Sequence, residues 1–350
     1  MAAPAVSVIV PAYNAAATIG ETLRSVSAQT CEGLEIIVID DGSTDETADI
    51  VAEYARSEPR LRLIRQANAG VAAARNVALE NATAEYIAPI DADDLWHPTR
   101  VEKHLAVLKQ NSAVAFVYSP FRTVDAQGRV LGDHPLFNFE GRVFHRQLFF
   151  NMVGNGSGVM FRKEAADRVG GYDNALRETR LEGSEDWLLQ MRLALIGEVA
   201  QVPEYLIGYR KAPGAMSAEP RRIWRSQIFA TDRLKPHAPP GTLPLLDAAK
   251  LHFTVRAALE SLRRPDLRSL ATAFGTAARQ GLASRLCGEI GEAVTRTLRA
   301  RARRGTPPGK HFTHVDPRPD GGISLSRYTL KLIEQLERAD EAMYLTSKTL

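Results

Sequence analysis

Within the first 90 residues four short apolar runs alternate with three segments of helical spacing, and this alternation narrows the folds open to the chain more than any other feature. The runs are Val6–Val10, Leu34–Ile39, Leu61–Arg65 and Glu85–Ile90. The first two are near-continuous stretches rich in Val and Ile, the pattern of strands buried on both faces. Between them, Ala16–Gln29 sets Ile19, Leu23 and Val26 at helical intervals, with Thr18 and Glu21 spaced as a capping box. A segment opened by Ser43-Thr44-Asp45-Glu46 carries Ile50, Val51 and Tyr54 on one side, and Val71–Asn81 reads as a third helix. The order β-α-β-α-β-α-β predicts an α/β fold: a mostly parallel sheet with helices on both faces. Ligands of such sheets bind beyond the carboxyl ends of the strands. Pro11–Asn14, Asp40–Ser43 and Asp91–Asp94 all fall there, so three loops remote in sequence are predicted to share one rim.

The third of these loops, Asp91-Ala92-Asp93-Asp94, places three carboxylates in four residues. With a reference pKa of about 3.9 each would be ionised at neutral pH and would repel its neighbours unless a cation sits among them. Mg²⁺ or Mn²⁺ suits carboxylate oxygens and leaves positions open for phosphates. The plain alternative is a solvated turn that ends a strand. Glycine-rich phosphate signatures are absent: the loop after the first run is Pro11-Ala12-Tyr13-Asn14, and no Walker-type segment occurs. Phosphate neutralisation would fall to the metal and to Arg75, on the helix after Asn68-Ala69-Gly70.

Beyond Asp94 the reading continues with a helix from His97-Pro98, a strand over Ala113–Tyr118, and a hairpin over Thr123–Leu131 turning at Asp125–Gly128. Gly154–Gly158 is either a close approach for a ligand or a plain loop. Val159–Phe161 reads as apolar strand, Glu185-Asp186 opens a helix, and Val199–Arg210 is extended. Later segments near 217–235, 245–262, 266–280, 282–303 and 326–346 are helix-like, with Pro236–Pro244 and Gly305–Gly322 as linkers or loops. At 350 residues the chain exceeds the usual size of one core, so a second domain or an appendage is expected. Residues 1–210 carry 20 Lys and Arg against 28 Asp and Glu, a net of −8; the remaining 24 against 13 give +11, which restores the overall +3. Cys31 and Cys287 have no metal-ligand spacing, and no segment approaches 18 consecutive apolar residues, so a cytoplasmic protein is expected. The basic run at Arg296, Arg299, Arg301, Arg303 and Arg304 is a solvated helix end or a contact with an anionic membrane at its inner face. No nucleic-acid partner is expected, since no aromatic interleaving accompanies the charge.

Residues 6–110 resemble the nucleotide-sugar half of the family 2 glycosyltransferases, inverting enzymes of the GT-A fold. The resemblance rests on Val8-Ile9-Val10-Pro11-Ala12-Tyr13-Asn14, Ile37-Val38-Ile39-Asp40-Asp41-Gly42-Ser43-Thr44-Asp45, Asn68-Ala69-Gly70 with Ala74-Arg75-Asn76, and Tyr86-Ile87 through Asp91–Asp94. Weaker matches at Gly170–Asp173 and Glu185-Asp186-Trp187 extend it to about residue 210. It implies a GT-A-like domain over residues 1–212, with a donor half to about 110 and an acceptor half after it, and a mostly helical region over 213–350. Carried over, Pro11 and Tyr13 line the nucleobase pocket, and Asn14 belongs to the donor-nucleotide site. Asp41 accepts a hydrogen bond from the base, and Asp40 supports the turn or the ribose. Arg75 contacts the diphosphate, Asp91 lies near ribose or metal, Asp93 ligates Mg²⁺ or Mn²⁺, and Asp94 supports the loop. Asp186 is the general base, with Glu185 and Trp187 on the acceptor side. The implied reaction is metal-dependent, inverting transfer from a nucleoside-diphosphate sugar, UDP-linked, to a saccharide or lipid-linked saccharide. Peripheral membrane contact and homo-oligomerisation are compatible with it. The alternatives are a non-catalytic sugar-nucleotide-binding protein whose helical region recruits partners, and nucleotidyl transfer on the same fold class.

Overall fold

The computed structural model of the chain describes residues 3–211, 219–260, 309–319 and 327–347. The N-terminal elements are β1 (Val6–Ala12), α1 (Ile19–Ser27), β2 (Leu34–Asp40), α2 (Thr47–Ser57), β3 (Leu61–Arg65), α3 (Val71–Asn81) and β4 (Tyr86–Pro89), in the order expected. β5 (Leu95–Trp96), α4 (Arg100–Gln110), β6 (Val114–Tyr118), β7 (Phe121–Val124), β8 (Val130–Asp133), α5 (Phe144–Phe150) and β9 (Val159–Arg162) follow. Then come α6 (Lys163–Arg168), α7 (Ala175–Glu178), α8 (Glu185–Ile196), β10 (Glu198–Gln201), β11 (Ile207–Arg210), α9 (Pro220–Leu234), α10 (Leu243–Glu260) and α11 (Arg327–Ser347).

Seven strands form the main sheet in the order β10-β6-β9-β4-β1-β2-β3. β1 pairs in parallel with β2, from Val6 opposite Leu34 to Ala12 opposite Asp40, and with β4 on its other side. β9 runs antiparallel to both β4 and β6, so the sheet is mostly but not wholly parallel. All seven residues of β1 are buried. Val8, Val10, Ile36, Val38 and Ala88 join Leu23, Val26 and Leu108 from the helices in one apolar cluster. Each buried Val, Leu or Ile among them contributes about 1.5–3 kcal/mol by leaving water. A smaller sheet, β5-β11-β7-β8, carries the predicted hairpin, with the Gly128 N–H donating to the Asp125 carbonyl at 3.0 Å.

By packing, the chain forms two units: Met1–Asn174, Asp186–Lys211 and Gly309–Leu350 in the first, Ala175–Glu185 and Ala212–Pro308 in the second. Three expectations are corrected or completed in the first unit. Residues 309–319, read as part of a linker or loop, are a loop bound to the small sheet: Val130 N–H donates to the Lys310 carbonyl at 3.0 Å and Phe312 N–H to the Gly128 carbonyl at 2.8 Å. The Phe312 ring is buried against Leu95 and Val124 and occupies the space a side chain at Gly208 would need, since a Cβ there would lie 2.9 Å from the ring. The capping box does not form. The Thr18 N–H already donates to the Ala15 carbonyl at 3.0 Å, so Glu21 turns instead to Arg210 and His311. α5 had no sequence signal; its N-terminus is satisfied by Asp340 of α11, which accepts from the His145 N–H at 2.7 Å and from Arg146 Nε at 2.9 Å. In the second unit α9 and α10 pair, with Trp224 stacked on Phe253 and Lys250 bound to Asp232. The helical readings at 266–280 and 282–303, Cys287 and the basic run at 296–304 lie outside the described residues.

Candidate active site

Because Ala12 and Asp40 are register partners, the loops after β1 and β2 emerge side by side. Asn14 adopts φ 49° and ties them together: its Oδ1 accepts from the Thr44 N–H at 2.8 Å, while its own N–H donates to Ser43 Oγ at 3.0 Å. Asp40 Oδ1 accepts from the Ser43 N–H at 3.2 Å, closing the turn. Pro11 is buried, whereas Tyr13 is 52% exposed and presents an open ring. Asp41 is buried, and its carboxylate accepts from Gln66 Nε2 at 2.7 Å, the Ala69 N–H at 2.8 Å and the Gly70 N–H at 2.8 Å. It therefore holds the start of α3, where the helix dipole favours negative charge. A carboxylate offers about four acceptor sites, so one remains for a ligand donor. Gly42, at φ +73°, permits this closeness, because a Cβ would sit 2.8 Å from the Asn68 nitrogen.

α3 then delivers Arg75, a buried guanidinium paired with the Asp91 carboxylate and lying 5.2 Å from the centroid of the Tyr172 ring. Gly156 of the glycine-rich loop makes room for the pair: a Cβ there would meet Arg75 Nη2 at 2.8 Å and Asp91 Oδ2 at 3.4 Å. Ser157 next to it organises the acidic loop. Its hydroxyl accepts from the Asp91 N–H at 3.0 Å and donates to Asp94 Oδ2 at 2.5 Å. Asp94 is fully buried and also accepts the Arg210 N–H at 3.0 Å. Burial, then Asp93 and Asp91, push the Asp94 carboxyl well above the usual range. Asp93 is pushed up to about 6 by burial and by Asp91.

Asp186 stands at the start of α8 and is half-buried. A helix N-terminus should make it a weaker base, yet its pKa is raised: burial is the largest influence, Arg75 opposes it, and Asp91 adds to it. Desolvation outweighs the lowering by Arg75 and by the backbone N–H groups at the helix start, so the carboxyl holds its proton more tightly than an ordinary Asp. Glu185, expected to share that duty, is buried, with both oxygens accepting from the Gly183 N–H at 2.9 and 3.0 Å. Trp187, expected on the acceptor side, is 1% exposed. Its ring is a core element with no open face for a sugar.

Residues 7–170 match the family model described as Glycosyl transferase family 2. This stretch is a family 2 glycosyltransferase domain. Over 130 residues the chain is 36% identical to chondroitin synthase of Escherichia coli, which covers 37% of this chain and 19% of that protein. The chain thus spans well under two thirds of the length of that relative. Among solved structures, Staphylococcus aureus TarS 1-349 in complex with UDP-GlcNAc aligns with TM-score 0.55 and 19% identity, over 79% of this chain and 92% of that one. The mannosyltransferase PcManGT of Pyrobaculum calidifontis, in complex with GDP-Man and Mn²⁺, aligns with TM-score 0.55 and 24% identity, over 83% and 87%. At such identities the likeness establishes the fold, which is GT-A.

Within the glycosyltransferase domain and its continuation, the structure gathers Arg75, Asp91, Asp93, Asp94 and Asp186, residues drawn from three separate segments. Among the described residues no three His, Cys or carboxylate side chains converge as a preformed metal cluster. Mg²⁺ and Mn²⁺ are commonly held by one or two carboxylates with phosphate and water completing the shell, and Asp91 and Asp93 fit that donor set. Sequence reasoning missed Ser157 and Arg210. Ser157 had a faint signal as the one hydroxyl within Gly154–Gly158, but Arg210 ends β11 with nothing local to mark it.

Proposed function

We propose that this chain moves a single sugar from a nucleoside-diphosphate sugar, UDP-linked, to a hydroxyl of a saccharide or lipid-linked saccharide, with inversion at the anomeric carbon. One observation carries the reading: an open aromatic ring at Tyr13, a buried acceptor at Asp41, a buried guanidinium at Arg75 and the carboxylates Asp91, Asp93 and Asp186 occupy the carboxyl-end rim of one sheet. The nucleotide sugars in the two structural neighbours and the polymer-forming relative support it.

In this reading the nucleobase stacks on Tyr13, and the remaining acceptor site of Asp41 takes an N–H from the base. Arg75 shares its guanidinium between Asp91 and the diphosphate, a planar fork suited to phosphate oxygens. Asp91 and Asp93 hold Mg²⁺ or Mn²⁺, which supplies positive charge to the diphosphate of the leaving group. Asp186 takes the proton of the acceptor hydroxyl, which is a poor nucleophile until that proton is removed. A single displacement from the face opposite the leaving group inverts the configuration. The basic C-terminal region, beyond residue 212, would bring the chain to an anionic membrane surface where a lipid-linked acceptor resides.

The test is a donor screen over UDP- and GDP-linked hexoses with Mn²⁺, Mg²⁺ or chelator, reading nucleoside diphosphate. Release that needs a divalent ion and rises with a saccharide acceptor is expected. Release of pyrophosphate, or no turnover of any donor, overturns the reading.

A further inference from the structure

We propose that Arg210 is the positioning residue of the acidic loop, and that Glu21 and His311 hold it in place, so that the segment following residue 309 helps to build the donor site. The inference rests on the functional reading above but concerns residues that reading does not use.

Arg210 is 1% exposed and spends its donors on the loop and its supports. The backbone N–H donates to Asp94 Oδ1 at 3.0 Å and Nε to the Asp93 carbonyl at 2.7 Å. Nη1 donates to the carbonyls of Asp125 at 3.1 Å and Ala126 at 2.6 Å, in the hairpin turn. Nη2 donates to Glu21 Oε2 at 2.6 Å. The other Glu21 oxygen faces His311 Nε2 at 2.8 Å, a partner 290 residues away in sequence. His311 is itself fixed: Nδ1 lies 2.9 Å from Thr313 Oγ1, and its ring fills the space beside Gly128, where a Cβ would come within 2.4 Å of Nε2.

α1 grips the same loop from another side. The Thr18 hydroxyl donates to the Ala92 carbonyl at 2.9 Å, and the single proton of the Thr22 hydroxyl is shared between the Ala92 and Asp94 carbonyls, at 3.0 and 2.9 Å. The backbone of the loop is thereby fixed at Ala92, Asp93 and Asp94 while the Asp91 and Asp93 carboxylates stay outside this scaffold. A rigid five-donor guanidinium can reach the loop, the hairpin turn and Glu21 at once; an ammonium on a flexible stem cannot. The chain of contacts His311–Glu21–Arg210–Asp93/Asp94 thus makes the geometry of the donor carboxylates depend on the downstream segment.

The experiment measures binding of UDP in the presence of Mn²⁺ by calorimetry to the full chain and to His311→Asn, Glu21→Gln, the double variant and Arg210→Lys, with melting curves for each. Lys103→Gln, which removes the ion pair with Glu204 away from the loop, is the control. Affinity should fall about fivefold for His311→Asn and by about 10–100-fold for Arg210→Lys. The double variant should be no weaker than Glu21→Gln alone, since the two residues act in series. Lys103→Gln should bind as the parent does. If the parent binds and His311→Asn and Glu21→Gln bind equally well, the positioning role is wrong while the donor site stands. If the parent itself binds no UDP with Mn²⁺, the functional reading fails and takes this inference with it. Should Arg210→Lys not fold, the other variants still decide.

Discussion

At the level of single residues, Asp186 and Glu58 are opposite cases of one linkage. Burial raises the Asp186 carboxyl above its ordinary value, so the folded state holds that proton more tightly than the unfolded chain does. The stability it contributes therefore falls as pH rises from the unfolded value of 3.8 through the folded one, and at neutral pH its charge is a cost. Asp186→Asn should remove that cost and the base together: turnover falls by about 10²–10⁴, while the melting temperature at pH 7 stays level or rises. A lower melting temperature would show the carboxylate to be a structural cap. Glu58 is lowered to about 2, mainly by hydrogen bonds from Arg60. Its contribution is complete above the unfolded value of 4.5 and is lost as pH falls from there toward 2. Glu58→Gln should cost about 1 kcal/mol at pH 7 and only a small part of that at pH 2, where the folded carboxyl is half protonated, so urea melts at the two pH values check it. The residues singled out in the sequence sit in short motifs, Tyr13, Asp41 and Asp93 at strand ends and Arg75 on α3. Arg210 and Ser157 were not, because their partners are contributed by folding: Arg210 reaches Glu21 across 189 residues of chain.

Among the elements, β1 to β4 with their helices were readable because local periodicity and burial agree. α5 was not. It is a seven-residue helix with no side-chain cap of its own, ending at Asn151 in the left-handed region, and its N-terminus is completed by Asp340, 195 residues away. Residues 309–319 are the loop that their Gly and Pro content spells, but that they dock through Phe312 on the small sheet is a matter of packing and has no local signal. Asp340 is fully buried and serves both His145 and Arg146. Asp340→Ala would leave a buried guanidinium and a backbone N–H without that partner, at a cost of about 3–5 kcal/mol in denaturant unfolding. A loss below about 1 kcal/mol would mean that α11 does not depend on this contact.

For the whole molecule, what matters is that the first unit is discontinuous, combining residues up to 211 with Gly309–Leu350. A fragment ending at residue 211 lacks Phe312, His311 and Asp340 and exposes the surfaces they cover. It should melt well below the full chain and lose UDP affinity; a fragment equal to the full chain in both would show that the N-terminal part is self-sufficient. The charge contrast of −8 against +11 was visible from composition, but which segments return to complete the first unit was not, since return is a property of packing. The most direct measurement is a crystal structure with UDP and Mn²⁺. The nucleobase should lie on the Tyr13 ring beside Asp41, the diphosphate at Arg75, and the ion at Asp91 and Asp93. Nucleotide bound elsewhere, or Asp93 turned to bulk solvent with no density beside Tyr13, would contradict the donor site described for this chain.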